Sequence, residues 1–240
     1  MEIRVLDKGF VRLESSMGGD QAVLRAARVS YKSEAIDETR DRKLIAYLLE
    51  HKHGTPFEHG VFTFHVKLPI FVARQWIRHR MSSYNETSFR YREAPEEFYI
   101  PETWRAQDTK NKQGSVDLNS TDHNRLNEMV VSGQDMAMQR YKLLINSGVA
   151  REMARMVLPI NLYTEWYWTV NARALMHFLE LRCEKHAQWE IRQYGYALAE
   201  IFIQKMPMTF YAWAQTVNTP PYAGMWEAMH KMEGAGSANA

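Results

Sequence analysis

The chain is 240 residues long, with a formal net charge of +2 and a hydrophobic content of 45%. This composition is ample to bury the core of one large domain or two small ones, and the small net charge argues against a general nucleic-acid binder. Cys183 is the single cysteine, which leaves no intrachain disulfide and fits a reducing cytoplasm. No apolar run approaches the ~18 residues of a membrane span, so we expect no transmembrane helix and, with charges near the start, no signal peptide.

The N-terminal part is predicted to form a hairpin and two helices. Residues 2–16 contain two short strand-like segments with an Asp-Lys-Gly turn between them. Asp20 stands where it can cap a helix over residues 21–30. A second helix is predicted over residues 37–51, because its leucines form a broad apolar face.

A helix-start signal follows at Thr55. Thr55 and Glu58 have the spacing of a capping box, and Pro56 occupies the first helical position, so a short helical turn is expected. His53 and His59 flank this turn. No third ligand lies at a recognised zinc spacing, and we expect no metal site.

The next segment is predicted to be a strand that leads into a helix. Residues 61–68, VFTFHVKL, alternate apolar and polar side chains, which predicts a half-buried strand. Pro69 marks the start of the helix. On this helix Gln75, Arg78 and His79 are predicted to share one face, so three polar groups converge at its end.

The stretch RQWIRHRMSSYNETSFRYR, residues 74–92, gathers arginines, hydroxyls and amides around a single acid, Glu86. A solvated basic loop is the plain alternative. Guanidinium groups, however, bind phosphate through paired hydrogen bonds, and Ser88 with its polar neighbours offers further donors. Beyond Ser88 the alternation of aromatic residues and arginines predicts another strand. The stretch therefore predicts an anion-binding site.

The middle of the chain is predicted to contain a loop and two helices. Residues 104–122 are polar and turn-rich, and we interpret them as a surface loop of little functional weight. A long helix is predicted over residues 122–146 and a short one over residues 151–158. On the short helix Glu152 and Arg155 are spaced for a surface ion pair.

The last elements are an aromatic strand and two helices. Residues 162–170, LYTEWYWTV, favour a strand, and Asn171 is predicted to cap a helix that ends near Arg182. A long amphipathic helix over residues 186–206 ends before a proline. No GxGxxG or P-loop fingerprint is present. The elements predict a single α+β domain whose mixed or antiparallel sheet is flanked by helices, without a Rossmann turn.

The motif Arg78-His79-Arg80, seven residues, then Ser88 resembles the signature of the flavin-dependent thymidylate synthases. The flanking RQW and SFRY segments are similar too, and the resemblance covers about residues 3–207. It implies reductive methylation of dUMP to dTMP with methylenetetrahydrofolate, NADPH and bound FAD. It also implies a cytoplasmic homotetramer with active sites shared between subunits.

The resemblance implies a set of site residues and a domain extent. Residues implied to bind dUMP are Gln75, Trp76, Ile77, Arg78, Glu86, Thr87, Ser88, Phe89, Arg90, Arg155 and Arg182. Residues implied to bind FAD are Thr55, Arg78, His79, Arg80, Glu86, Asn171, Ala172, Arg173 and His177. Arg155 is implied to reach the nucleotide of a neighbouring subunit. The catalytic domain is expected over residues 1–213, and residues 214–240 form an extension whose end is expected to be disordered.

Arg182 is the implied catalytic residue. It matches the family residue that polarises the pyrimidine, a role that requires a fixed positive charge against the base. Cys183 is its neighbour in sequence, but on a helix it would point roughly 100° away, and we interpret it as a small buried hydrophobe. Ser88 has no His–acid relay placed to activate it, so we do not expect it to be a nucleophile.

Two other functions are open at this point. Arginines and aromatic residues interleave between residues 74 and 92, as in modules that bind single-stranded nucleic acid. A flavin- and folate-dependent enzyme that methylates uracil within RNA would need similar residues. Activity on a polymer rather than on the free monophosphate would favour the enzyme that methylates RNA. Salt-sensitive polymer binding without a flavin would favour the nucleic-acid-binding module.

Overall fold

The computed structural model describes residues 1–29, 37–112, 114–118 and 122–217, so the predicted disordered tail lies outside it. Its strands are β1 (Glu2–Val5), β2 (Gly9–Met17), β3 (Val61–Pro69), β4 (Ser82–Glu86), β5 (Arg105–Gln107), β6 (Ser115–Asp117) and β7 (Tyr163–Asn171). Its α-helices are α1 (Gly19–Ala27), α2 (Glu38–Glu50), α3 (Ile70–Trp76), α4 (His123–Asn146), α5 (Arg151–Ala154), α6 (Ala172–Arg182), α7 (Trp189–Lys205) and α8 (Pro207–Thr216). Thr55–His59 and Arg155–Val157 are 3-10 turns.

An antiparallel sheet in the order β1-β2-β3-β7-β4 forms the centre of the fold. Neighbouring side chains on a strand point to opposite faces. Phe64 of β3 pairs with Trp168 of β7, and both are buried against the helices. Their neighbours His65 and Tyr167 lie on the opposite face, where the two rings stack 4.9 Å apart. The predicted α+β class and the alternation along β3 are thus confirmed.

An aromatic cluster fixes the end of helix α3 against the sheet and helix α6. Trp76, the last residue of α3, is fully buried. Its ring centroid lies 5.0 Å from that of Trp168 and 4.7 Å from that of Phe178. Aromatic pairs of this kind contribute about 0.5–1.5 kcal/mol each beyond their burial. The chain that follows Trp76 therefore leaves the core from a rigid point.

Asp20 caps a different helix from the one predicted. The N-cap of α1 makes no side-chain hydrogen bond. The buried Asp20 carboxylate instead accepts hydrogen bonds from the N–H groups of Met208 (2.9 Å) and Thr209 (3.0 Å) at the start of α8. Because the dipole and the free N–H groups of a helix start attract an acid, Asp20 stabilises α8 from across the fold. Sequence analysis missed α8, and the expected domain boundary at residue 213 falls inside it.

Two local predictions near the signature are wrong. The turn Thr55–His59 has no side-chain cap, because the Glu58 carboxylate pairs with Arg173 (2.6 Å) instead. The strand expected after Ser88 does not form. A turn closed by a hydrogen bond from the Tyr91 N–H to the Ser88 carbonyl (3.1 Å) takes its place, and strand β4 precedes Ser88.

The segment predicted to be a surface loop contains a β-hairpin. Strands β5 and β6 pair with Arg105 opposite Asp117 and Gln107 opposite Ser115. The long helix α4 follows, as predicted, and Asp122 is its N-cap. None of the helices in the described ranges is both long enough and apolar enough to cross a membrane.

Candidate functional site

Helix α6 carries Arg182 from the sheet to the edge of the core. The helix starts where β7 ends, and the Asn171 side chain accepts a hydrogen bond from the Ala174 N–H (2.9 Å), as predicted. At the other end, Arg182 Nε donates to His79 Nε2 (2.9 Å) and Arg182 Nη2 donates to the Gln75 carbonyl (3.4 Å). These contacts tie Arg182 to the signature segment.

His79 is a neutral acceptor in this contact. Because its Nε2 accepts a hydrogen bond, its ring proton lies on Nδ1. Burial, followed by the charges of Arg182 and His177, lowers the pKa of His79 to about 4. The Phe178 ring packs 4.7 Å from the imidazole. His79 therefore holds Arg182 in place without neutralising its charge.

The Arg182 guanidinium has no acidic partner in the described part of the chain. Burial lowers the pKa of Arg182, and no carboxylate opposes this effect. A guanidinium remains charged at neutral pH even so. Arg182 therefore presents a fixed, half-buried positive charge that an anionic ligand can neutralise.

A cavity of about 570 Å³, here called the RHR cavity, opens beside Arg182. It brings together most of the residues predicted to bind FAD. Those residues are Arg78, His79, Arg80, Asn171, Arg173 and His177. Trp168, Val170 and Leu181 form its apolar part. Arginines suit a diphosphate and apolar walls suit a flat ring system, so these residues fit a flavin nucleotide.

Three residues predicted to bind the same cofactor lie outside the RHR cavity. Ala172 is fully buried at the start of α6. Glu86 lies at the far end of β4, where it accepts a hydrogen bond from the Thr164 hydroxyl (2.7 Å). Thr55 is exposed beside Gly54, and a Cβ at Gly54 would lie 2.6 Å from Arg173 Nε. The chain beside Thr55 thus packs against Arg173, and Arg173 lines the RHR cavity.

A second cavity of about 320 Å³, here called the serine cavity, contains residues predicted to bind dUMP. The predicted residues that line it are Glu86, Thr87, Ser88, Phe89 and Arg155. It shares no lining residue with the RHR cavity. Ser88 and Arg155 therefore lie on the same cavity within one chain.

Arg90 lies outside the lining of the serine cavity. It pairs with Glu152 (3.5 Å), and both side chains are about half exposed. The predicted ion pair between Glu152 and Arg155 is wrong, because Arg155 Nε donates to the Glu152 carbonyl oxygen (3.3 Å) instead. An exposed pair contributes at most about 1 kcal/mol, so an anion can readily recruit Arg90.

A third cavity, of about 650 Å³, was not predicted; we call it the hairpin cavity. Arg182 and Gln75 line one side, and Arg105 and Gln107 of the β5–β6 hairpin line another. The Gln75 side-chain amide donates to Gln188, which also lines the cavity. Residues 104–122, expected to have little functional weight, therefore contribute part of the wall of a cavity. The feature of the sequence that could have indicated this cavity wall was a tryptophan followed by an arginine, Trp104 and Arg105, at the start of an otherwise polar segment.

The predicted helix face of Gln75, Arg78 and His79 does not form. Helix α3 ends at Trp76, so Arg78 and His79 lie in the turn beyond it. Gln75 lines the hairpin cavity, whereas the other two line the RHR cavity. The Trp76 side chain is 0% exposed and lines none of the three cavities. Ile77 is exposed outside all three cavities.

A metal site receives no support from the geometry. Across residues 1–29, 37–112, 114–118 and 122–217, no three His, Cys, Asp or Glu side chains cluster as metal ligands would. Glu58 is engaged by Arg173 rather than by the neighbouring histidines. The His51 and His53 rings are 6.2 Å apart, and His51 stacks on Tyr47.

Comparison with known sequences identifies the family. The profile described as "Thymidylate synthase complementing protein" matches residues 12–208. A flavin-dependent thymidylate synthase of Thermosipho africanus is 52% identical over 213 residues, which covers 88% of this chain and 93% of the relative. A protein of the same name from Thermotoga neapolitana is 54% identical over 212 residues, covering 88% and 94%.

Solved structures agree with the sequence comparison. The UMP/dUMP methylase PolB from Streptomyces cacaoi bound with 5-Br dUMP has a TM-score of 0.83 and 36% identity, covering 91% of this chain and 100% of that one. The same methylase bound with 5-Br UMP has a TM-score of 0.81. Since the match extends from the sheet through both α6 and α7, the chain belongs to the flavin-dependent thymidylate synthase family.

Proposed function

We propose that this protein methylates dUMP reductively to dTMP. The one-carbon unit comes from methylenetetrahydrofolate, the reductant is NADPH, and the bound flavin is FAD. The names of the relatives and the dUMP analogue bound to the Streptomyces methylase support the substrate and the use of a flavin. The reaction belongs to nucleotide biosynthesis in the cytoplasm.

The observation that carries the proposal is the unpaired charge of Arg182. The uracil imide is a weak acid, and a fixed positive charge against the base lowers its pKa. Ionised uracil has more electron density at the ring carbon that receives the one-carbon unit. Arg182, held by neutral His79, favours that ionised form electrostatically and is the catalytic residue of the proposal.

Arg78 and Arg80 supply charges that would hold the FAD diphosphate in the RHR cavity, and Arg173 would join them once it leaves its pair with Glu58. Asn171 and His177 line the same cavity and would add hydrogen bonds to the cofactor. FAD supplies the electron transfer that none of these side chains can perform. The chain's own part is to bind the cofactor and to keep Arg182 and His79 beside it.

The serine cavity suits the phosphate of dUMP. Thr87 and Ser88 offer hydroxyl groups, and Arg155 offers a guanidinium. Arg90 joins them once it leaves its exposed pair with Glu152. Because this cavity shares no lining residue with the one that contains Arg182, we assign the phosphate and the base to half-sites of different subunits in a homotetramer.

The first experiment measures the absorbance of the purified protein and its reaction products. We expect a yellow protein that releases FAD on denaturation and forms dTMP from dUMP with methylenetetrahydrofolate and NADPH. UMP and a uracil-containing RNA serve as parallel substrates, because the Streptomyces methylase is named for both UMP and dUMP. A colourless protein that neither takes up FAD nor oxidises NADPH contradicts the proposal. Methylation of RNA alone would show that the substrate is uracil within RNA rather than the free nucleotide.

The second experiment tests the shared sites. Arg78→Ala and Arg155→Ala proteins are each expected to be poor enzymes. Mixed tetramers of the two are expected to regain activity above both parents, because an intact site combines Arg78 of one subunit with Arg155 of another. Proven subunit mixing without recovery means that both arginines act within one chain.

A further inference from the structure

Strand β4 lies beside the turn that carries the RHR motif. It is the last strand of the sheet, where Tyr84 pairs with Trp168 of β7. Because side chains alternate along a strand, Ser82 and Tyr84 point to the same face of the sheet, towards the helices. The Tyr84 ring centroid lies 5.3 Å from that of Trp166 and 6.2 Å from that of Trp168. Strand β4 thus brings two hydroxyl groups to the end of α3.

The Tyr84 hydroxyl contacts two carbonyl groups of this turn. It lies 2.9 Å from the His79 carbonyl oxygen and 3.1 Å from that of Trp76, and it can donate its proton to either. The Ser82 hydroxyl donates to the same His79 carbonyl (2.9 Å). The His79 N–H donates to the Trp76 carbonyl (3.0 Å). The main chain of His79 is therefore held at both its N–H and its carbonyl group.

The contact between Tyr84 and the site passes through His79. Tyr84 lines none of the three cavities. Burial raises the pKa of Tyr84, so its hydroxyl keeps its proton and remains a donor at neutral pH. The His79 imidazole accepts the hydrogen bond of Arg182 Nε (2.9 Å). A displacement of the His79 main chain would therefore move the acceptor that orients Arg182.

We propose that Tyr84 is a positioning residue for Arg182, because its hydroxyl fixes the His79 main chain and His79 in turn orients the guanidinium. The inference rests on the proposed function, in which Arg182 is the catalytic residue. The buried ring of Trp76 fixes where the turn begins, but the His79 peptide keeps its orientation only while donors hold its carbonyl. Support of this kind keeps an electrostatic catalyst in its productive geometry.

The first test is Tyr84→Phe, which removes one oxygen atom and leaves the ring in the aromatic cluster. We expect kcat for dTMP formation to fall roughly 2- to 10-fold, the range for one lost hydrogen bond. The KM for dUMP should change little, because Tyr84 does not line the serine cavity.

Tyr194→Phe is the matched control. The Tyr194 hydroxyl also donates to a backbone carbonyl, that of Lys67 (2.8 Å), which lies on β3 away from the turn. Both variants should lose similar stability in urea, whereas only Tyr84→Phe should lose turnover. Equal turnover in the two variants overturns the proposal.

A double variant tests whether Tyr84 acts through Arg182. In a protein that already carries Arg182→Ala, the addition of Tyr84→Phe should lower dTMP formation no further, because no guanidinium is left to position. If Tyr84 is purely structural, its loss lowers the rate by the same factor in both backgrounds, and that result overturns the proposal.

The His79 ring gives a readout that needs no turnover. Because Nε2 accepts the Arg182 hydrogen bond, the proton of the neutral ring lies on Nδ1. Nitrogen NMR of histidine-labelled protein at alkaline pH, with the His79 signals identified by their loss in His79→Gln, should show this tautomer in the wild type and in Tyr194→Phe. In Tyr84→Phe the Nε2 signal should shift towards that of a protonated nitrogen, because the loosened ring exchanges between tautomers.

The NMR experiment separates failure of this inference from failure of the proposed function. A His79 spectrum that is unchanged in Tyr84→Phe overturns the positioning role. A wild-type protein that forms no dTMP refutes the proposed function, and the same spectrum then decides whether Tyr84 holds His79 against Arg182.

Discussion

Arg105 and Arg182 line the same cavity but are held in opposite ways. Arg105 forms an ion pair with the buried Glu190 carboxylate (2.5 Å) and packs over the Trp189 ring at 5.2 Å. Arg182 donates to the neutral His79 ring and to a backbone carbonyl. The charge of Arg105 is neutralised by the Glu190 carboxylate inside the protein. The charge of Arg182 has no acidic partner among the described residues and can be neutralised by a ligand. The charge of the partner, rather than burial, separates the structural arginine from the one proposed to be catalytic.

The largest expected effect is on stability, at Arg105. Arg105→Met leaves Glu190 buried without its cation, and the free energy of unfolding should fall by about 3–5 kcal/mol. Arg42→Met is the matched control, because it breaks an exposed pair with Glu38, and should cost only about 0.3–0.5 kcal/mol. Urea unfolding measures both, and equal losses would show that the Arg105 pair is no more structural than a surface pair.

The converse result is expected at Arg182. Arg182→Ala should lower dTMP formation by about ten- to a thousand-fold, the range for lost electrostatic stabilisation, while the visible spectrum of the bound flavin changes little. Arg182→Lys keeps a charge in another geometry and should fall between the alanine variant and the wild type. Unchanged turnover in Arg182→Ala would remove this residue from the mechanism.

A smaller effect is expected from the neutral partner of Arg182. The folded pKa of His79 is about 4, below the ordinary value of 6.5. Between these values the unfolded chain binds a proton that the folded chain does not, so stability falls as the pH drops from about 6.5 to about 4. His79→Gln keeps an acceptor without titrating. The wild type should therefore lose more stability than the variant between pH 7 and pH 5, and parallel losses would contradict the neutral His79.

The smallest effect is expected at Cys183, the residue after Arg182. It is the C-cap of α6 and is 6% exposed, and burial raises the pKa of its thiol to about 12. The prediction of a buried hydrophobic cysteine is confirmed. Cys183→Ala should keep near-normal dTMP formation and lose about 1 kcal/mol of stability. A folded variant that binds FAD and dUMP yet forms no dTMP would reinstate Cys183 as a catalytic residue.

Much of the fold follows from patterns that are local in the sequence. The alternation along β3 and the Asn171 cap of α6 each depend on residues within one element, so periodicity and capping were enough to predict them. The RHR-x7-S motif was specific enough to identify the family, and Arg182 was placed by resemblance. Each of these features depends on side chains a few positions apart.

The arrangement of the site was decided only by the tertiary structure. The Arg105–Glu190 pair joins residues 85 positions apart, and Asp20 caps α8 across 189 positions. The separation of Ser88 and Arg155 from Arg182 into different cavities, and the part of residues 104–122 in the wall of a third, likewise depend on how the elements pack. Such contacts form between elements that the sheet and helices bring together, and the spacing of residues within one segment carries no information about them.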